Sequence, residues 1–503
     1  MKKVHYLCLG FLFFALPAYT QSFEEWKKQQ EADFQNFKSK QDKEFNGMLK
    51  QAWEFVNAKP AEKMISGPKI VEQPVAIPTK TKPAEKTIIK VDSVVAPIVE
   101  VQKPKAAPPK PLVKVVVEAP PPPPIPGAPK PEIPVKPVIK PLEFTFFGVN
   151  ISLHADPDWK SIRLESYNPD GISKFFQKLS NSNYETMLNE LYKQRKKYVL
   201  NDWAYGRLVQ TSVQKAVEGN EYEVRMFTWF FLLKSGYNIK LGYNDNQIHL
   251  LAPTQQRLFG VSYYTLEDKK RYYIVDFVNP IKENVSLYTY AGSYPKAVAE
   301  FDLRFSTRPE LKAAKTKRML KFAYQDEKWD VPVSYNNSLV ELYDNYPQTD
   351  LTVYFQAALS DAAIGSLVKE LKAIVKGKDE YTQVNMILRF VQTAFEYKTD
   401  KDQFGKEKYF FGEETLHFPF SDCEDRSILF ATLVKSIVGL DVVGIKYPGH
   451  LATAVAFKSD GINGDQLKVG NKVFTICDPT YKNADIGMSM PKFKSQSITV
   501  VPF

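Results

Sequence analysis

The chain has little of what builds covalent or metal-bound frameworks: its 503 residues hold three cysteines and five histidines. Cys8 lies inside an apolar leader, so Cys423 and Cys477 are the thiols left to the rest of the chain. Two thiols cannot make the disulfide lattice of a small secreted domain, and no Cys/His cluster has zinc-like spacing. The sequence also lacks a phosphate-cradling glycine loop and a serine nucleophile elbow. No apolar run beyond the leader reaches the roughly 18 residues that a membrane span needs. Charge of one sign is scarce where it would matter. Of the formal net charge of +10, residues 1–59 carry +2 and residues 60–141 carry +6, which leaves the remainder almost balanced and gives no reason to expect nucleic acid as a partner.

What is present begins with Lys2 and Lys3, an apolar run from Tyr6 to Pro17, and small residues around Ala18 and Thr20. This reads as an export signal over residues 1–20, and implies a periplasmic, envelope-associated or secreted product with no transmembrane helix after cleavage. Within residues 21–59, Phe23 and Trp26, Phe34 and Phe37, and Phe45 and Met48 repeat every eleven residues, with Val56 next in line. Eleven residues make three helical turns, so the pairs are expected on one face of an amphipathic, coiled-coil-like rod. Such a stripe covers its own domain or a second copy, or docks an envelope partner through residues 23–58. Residues 60–141 contain 21 of the 35 prolines, including Pro120 to Pro124. They read as a disordered polyproline-like spacer that reaches roughly 250 Å when extended.

Residues 142–360 read as a mixed α/β accessory region. Phe144 to Ser152 looks strand-like, Asn183 to Ser235 helical, and antiparallel strands follow, among them Leu320–Tyr324 and Thr352–Phe355. The order helix, Gly236–Tyr243, His249, Tyr272–Asp276 echoes a later helix, Gly439–Tyr447, His450, Val473–Asp478, which suggests a degenerate internal copy lacking a cysteine at Asn220 to Glu223.

Residues 361–503 carry the chemistry. Asp422 is a good N-cap and Asp425, three residues on, completes a capping-box-like start, which puts Cys423 in the first turn of a helix running to about Val438. The helix end favours a thiolate, and its amides suit an oxyanion, whereas Glu424 and Asp425 disfavour a second negative charge. Arg426 or a bound cation is expected to offset them. His450 opens an alternating strand whose face is His450, Ala452, Ala454 and Ala456, small enough for the cysteine-bearing helix to approach. Asp478 ends the strand Val473–Cys477, with Pro479 stopping the ladder and Cys477 pointing to the opposite face as a packed thiol. Nucleophile, base and orienting carboxylate are thus Cys423, His450 and Asp478.

Tyr381 to Tyr481, with Ile387–Gln392 and Phe395–Tyr397 upstream of the cysteine, resembles the transglutaminase-like superfamily. The quartet Asp422-Cys423-Glu424-Asp425 is most similar to bacterial transglutaminase-like cysteine proteases. The resemblance implies an α+β fold with a papain-like core, the helix bearing Cys423 packed on an antiparallel sheet with His450 and Asp478. It also implies an acyl-thioester peptidase or amidase acting on protein or peptide, with no required cofactor. Calcium is a conditional ligand of Asp422, Glu424 and Asp425. The chain departs from eukaryotic transglutaminases in having Ser421, Asp422 and Glu424 around the cysteine, which favours hydrolysis over cross-linking. The alternative is a noncatalytic envelope scaffold that uses the same fold to bind.

Overall fold

Side-chain caps set most helix starts, and two antiparallel sheets organise the rest. A computed structural model describes residues 23–51, 53–64, 69–76, 86–95, 140–245, 247–279, 285–312, 315–496 and 498–503. The export-signal expectation and the run Pro120 to Pro124 fall outside them.

In chain order, helix α1 (Phe23–Leu49) is followed by strands β1 (Trp53–Val56), β2 (Lys86–Ile88) and β3 (Ser93–Val94). A hairpin, β4 (Leu142–Phe146) and β5 (Val149–Leu153), leads to α2 (Pro169–Ser180), α3 (Tyr184–Lys197), α4 (Asp202–Ala216) and α5 (Glu221–Lys234). Asn168, Asn201 and Asn220 cap α2, α4 and α5 by accepting from first-turn amides. Next come β6 (Lys240–Asn244), β7 (Gln247–Pro253), β8 (Tyr263–Thr265), β9 (Arg271–Val275) and β10 (Leu287–Tyr290). A long hairpin of β11 (Lys315–Tyr324) and β12 (Glu327–Asn336) precedes α6 (Asn337–Asp344), α7 (Leu351–Gln356), α8 (Asp361–Ala363) and α9 (Lys369–Ile374).

The C-terminal part contains α10 (Glu380–Thr393), β13 (Glu396–Tyr397), α11 (Asp400–Phe404), α12 (Gly412–His417), β14 (Phe420–Ser421) and α13 (Cys423–Ile437). Strands β15 (Asp441–Tyr447), β16 (His450–Ala456), β17 (Gly464–Val469), β18 (Lys472–Cys477) and β19 (Thr499–Val501) complete it. The chain is therefore mixed α+β with mainly antiparallel sheets.

One sheet runs β1-β10-β6-β7-β9-β8 and the other β3-β19-β15-β16-β18-β17, with β2 added beyond β17. The central registers also match. Asn244 pairs with Gln247 and Leu250 with Val275 in the first sheet, as Tyr447 pairs with His450 and Thr453 with Cys477 in the second. Counting along these registers sets Gln247 and Asp276 against His450 and Asp478, and aligning the N-caps Asn220 and Asp422 sets Glu221 against Cys423. The position matching His450 is thus Gln247, and the sequence pairing with His249 is two residues out, because hairpin register rather than residue identity fixes the match.

Several expectations need correction. Residues 21–59 are not one helix: α1 stops at Leu49, and Val56 lies in a strand paired with Leu287. The stretch Thr352–Phe355 belongs to helix α7, buried on every side, so its alternation carried no strand signal. Residues 60–141 are not a free spacer throughout. β2 pairs in parallel with β17, β3 pairs in parallel with β19, and Ala76 N–H donates to Lys482 O at 2.7 Å. Apolar residues between the prolines supply the anchors, since Ile70, Ala76 and Ile89 are buried.

The second half of α1 lies on its own domain. Phe45, 3% exposed, meets the rings of Phe176 and Tyr294 at 5.2 Å and Tyr290 at 5.8 Å. Asp42 pairs with the buried Lys234 ammonium and accepts from Tyr294 Oη at 2.8 Å. Side chains of Phe23, Trp26, Phe34 and Phe37 lie outside the described residues. Among the described residues no helix is long and apolar enough to cross a membrane. Phe45→Ala should cost about 3 to 5 kcal/mol in urea unfolding, the range for emptying a buried aromatic site; an unchanged midpoint would mean that α1 contributes nothing to the body it lies on.

Candidate functional site

Helix α13 begins where the sequence places it. Asp422 Oδ1 accepts from Glu424 N–H at 3.2 Å, while Asp425 Oδ2 accepts from Asp422 N–H at 3.2 Å, the reciprocal bonds of a capping box. Cys423 is the first helical residue and is fully buried. Pro448 and Gly449, the latter at φ +72°, turn the chain between β15 and β16 and make His450 the first residue of its strand. His450 Nε2 bonds Asp478 Oδ2 at 2.9 Å, and the ring lies flat on Phe493 with centroids 4.9 Å apart. The other ring nitrogen, Nδ1, is buried without a hydrogen-bond partner.

The structure thus joins two of the three expected residues directly. Cys423 Sγ donates to Glu424 Oε2 at 2.9 Å instead of to the histidine. The alanine-face argument is also corrected. Leu451 and Val455 share the main core with Ile428, Leu429 and Val434 of α13, and Ser427 Oγ donates to Leu451 O at 3.0 Å. Ala452 and Ala454 face a second core with Ile476, Phe493 and Val500. Strand parity puts the helix over the opposite side of β16 from the alanines. Cys477, as expected, is a packed free thiol, and lies in the core that includes α13.

The cation that the structure sets against the acids is not Arg426. Arg426 points to backbone, donating to Gln392 O at 3.2 Å and Phe395 O at 2.8 Å. Lys69, from the proline-rich segment, does the work: its Nζ lies 2.6 Å from Glu407, 3.3 Å from Asp400 and Glu424, and pairs with Asp422. The Lys69 side chain is only 8% exposed, so the four carboxylates form a nearly closed cage around it. Lys69, Asp400 and Glu407 were missed from the sequence, because nothing in the local pattern of Pro68-Lys69-Ile70 marks a partner more than 300 residues away. The unbalanced acids at Asp422 and Glu424 were the signal that a cation was needed.

Burial would strip the Lys69 proton, but Glu424, Asp422 and Asp400 outweigh it and hold its pKa well above the ordinary value. Burial and Asp422 push the Glu424 carboxyl up to about 7, and burial with Asp422 pushes Asp400 up to about 9. The Cys423 thiol is driven well above its ordinary pKa by burial, then by Glu424 and Asp422, with Lys69 pulling the other way. In this arrangement burial and the acids prevail over the helix end and favour the protonated thiol.

Asp400, Glu407 and Asp422 bring carboxylate oxygens within 4.8 Å of one another, a donor set that suits a hard cation. Lys69 stands among them, so a divalent ion would enter only in its place. Asp425 does not belong to that set: its oxygens accept from Phe410 N–H and Asp422 N–H, as those of a capping residue do. Comparisons with family models, with curated proteins and with solved structures return no match.

The Glu424 pKa in the folded chain, about 7, exceeds its ordinary 4.5, so the folded state binds the extra proton between those values. Its contribution to stability therefore falls as pH rises through that window. Glu424→Gln should reduce the stability difference between pH 5 and pH 7.5 by about 1 to 3 kcal/mol in urea titrations; an undiminished difference would assign the pH dependence elsewhere.

Proposed function

We propose that the chain is an exported cysteine hydrolase of transglutaminase-like type, a peptidase or amidase acting on envelope protein or peptide through an acyl-thioester. The observation that carries this reading is the buried His450–Asp478 pair, whose spare Nδ1 has no partner, at the end of a sheet whose other side packs the helix that starts with Cys423. Asp478 accepts a hydrogen bond from Nε2–H and so fixes the tautomer, which leaves Nδ1 as the base. The thiol leaves Glu424 and gives its proton to Nδ1, and sulfur attacks the amide carbonyl. The amine departs with that proton, leaving the thioester. Water then gives a proton to Nδ1 and its oxygen to the acyl carbon, which frees a carboxylic acid and restores the thiol.

The papain-like arrangement extends this reading to the matching first sheet. That sheet is a copy that retains an aspartate, Asp276, but has Glu221 and Gln247 where the chemistry needs thiol and imidazole. Asp276 is committed to structure there, accepting from Gln210 Nε2 at 2.7 Å and from Asn279 N–H at 2.8 Å.

A specific observation favours a second reading, a noncatalytic envelope scaffold: the thiol is fully buried and bonded to a carboxylate, which disfavours the thiolate. Peptide or glutamine electrophiles should trap a thioester on Cys423, and the adduct should vanish in Cys423→Ala. Asp478→Asn should slow turnover about a thousandfold or more by releasing the tautomer. If Cys423→Ser leaves cellular function intact and no adduct forms, the scaffold reading holds.

A further inference from the structure

Residues 69–76 cross the candidate site as an extended strap. At one end Lys69 fills the four-carboxylate cage. Ile70 O accepts from Tyr397 Oη at 2.7 Å, and the buried Ile70 side chain belongs to the same small core as Phe493, the ring stacked on His450. Gln73 Nε2 then donates to Gln392 O at 2.9 Å and to Thr480 O at 3.3 Å, two residues beyond Asp478. Finally Ala76 N–H donates to Lys482 O at 2.7 Å and Lys482 N–H donates to Pro74 O at 2.9 Å, a parallel bridge.

The strap therefore touches the surroundings of nucleophile, base and orienting carboxylate in turn. Its recognition chemistry is that of a bound peptide: backbone pairing, one apolar anchor and one charged side chain in a matching pocket. A cavity of about 990 Å³, bordered by Lys69, Val71, Glu407, Phe259 and Trp203, opens beside it and offers room for displacement. The cage sets four carboxylates, three of them almost fully buried, against one ammonium. An emptied cage would be costly unless protons or another cation took the place of Lys69, which makes it receptive to a cationic side chain.

We propose that residues 69–76 are an intramolecular occupant of the substrate groove, and that the Asp400–Glu407–Asp422–Glu424 cage takes a cationic side chain of an extended polypeptide substrate when the strap is displaced. This rests on the hydrolase reading for the word substrate, whereas the occupancy of the groove is independent of turnover.

The test uses the full chain with Gln73→Ala and Ala76→Pro together, which remove three strap hydrogen bonds while sparing cage and triad. Iodoacetamide labelling is followed by mass spectrometry at Cys423, with Cys477 as the internal control. Release should accelerate labelling of Cys423 about tenfold or more and leave Cys477 unchanged. An added peptide with the sequence of residues 69–76 should restore protection, and the same peptide with Lys69→Met should not. Because Ile70→Asp dislodges the strap from a different contact, it should give the same pattern.

Unchanged labelling of Cys423 in both variants overturns the proposal, as does equal acceleration at Cys477 or equal protection by the two peptides. Absence of hydrolysis with selective acceleration intact would sink the hydrolase reading and leave the strap. Turnover equally fast in the unaltered chain and in the released variants would sink the strap and leave the hydrolase.

Discussion

A single ammonium among buried carboxylates holds the C-terminal site in its present form. Lys69 lies against Asp400, Glu407, Asp422 and Glu424, and three of those acids are almost fully buried. Desolvating several carboxylates together is prohibitive without a counter-charge. The helix start, the thiol and the loop carrying α11 thus depend on a residue contributed from the far end of the chain. The same contact sets the electrostatics of the nucleophile. Asp422 caps α13 with one oxygen and grips Lys69 with the other, so the geometry of Cys423 and the seating of the strap are one problem.

Much of the local architecture was legible. The capping box at Asp422 and Asp425, the turn at Pro448-Gly449 and the stop at Pro479 place Cys423, His450 and Asp478 because each signal acts over a few residues. The Asp478 bond to His450 followed from adjacent strands. Failures came where the deciding partner was distant or the element was buried all round. Alternation at Thr352–Phe355 carried no information once each of its side chains was interior. The face of β16 that receives α13 depends on the register of the packed helix, which the strand's own pattern does not contain.

Composition misled most in the proline-rich segment. Proline density predicts extended chain correctly, but extended chain with unpaired backbone groups is also what a sheet edge accepts. Ile70, Ala76 and Ile89 lie between prolines and are buried, so a segment average concealed short anchoring stretches. The eleven-residue repeat behaved similarly. Its third pair, Phe45 and Met48, is used inside the fold, with Met48 against Gly292, where a Cβ would lie 2.0 Å from the sulfur.

The two short strands β2 and β3 sit at opposite margins of the seven-stranded sheet. They are three and two residues long, yet they occupy the outward hydrogen-bonding rows of β17 and β19. An open row of that kind is a template for strands of other molecules. The proline-rich segment thus works as a selvedge on both sides of the sheet, leaving at each margin a ladder of only two or three residues for another strand to join.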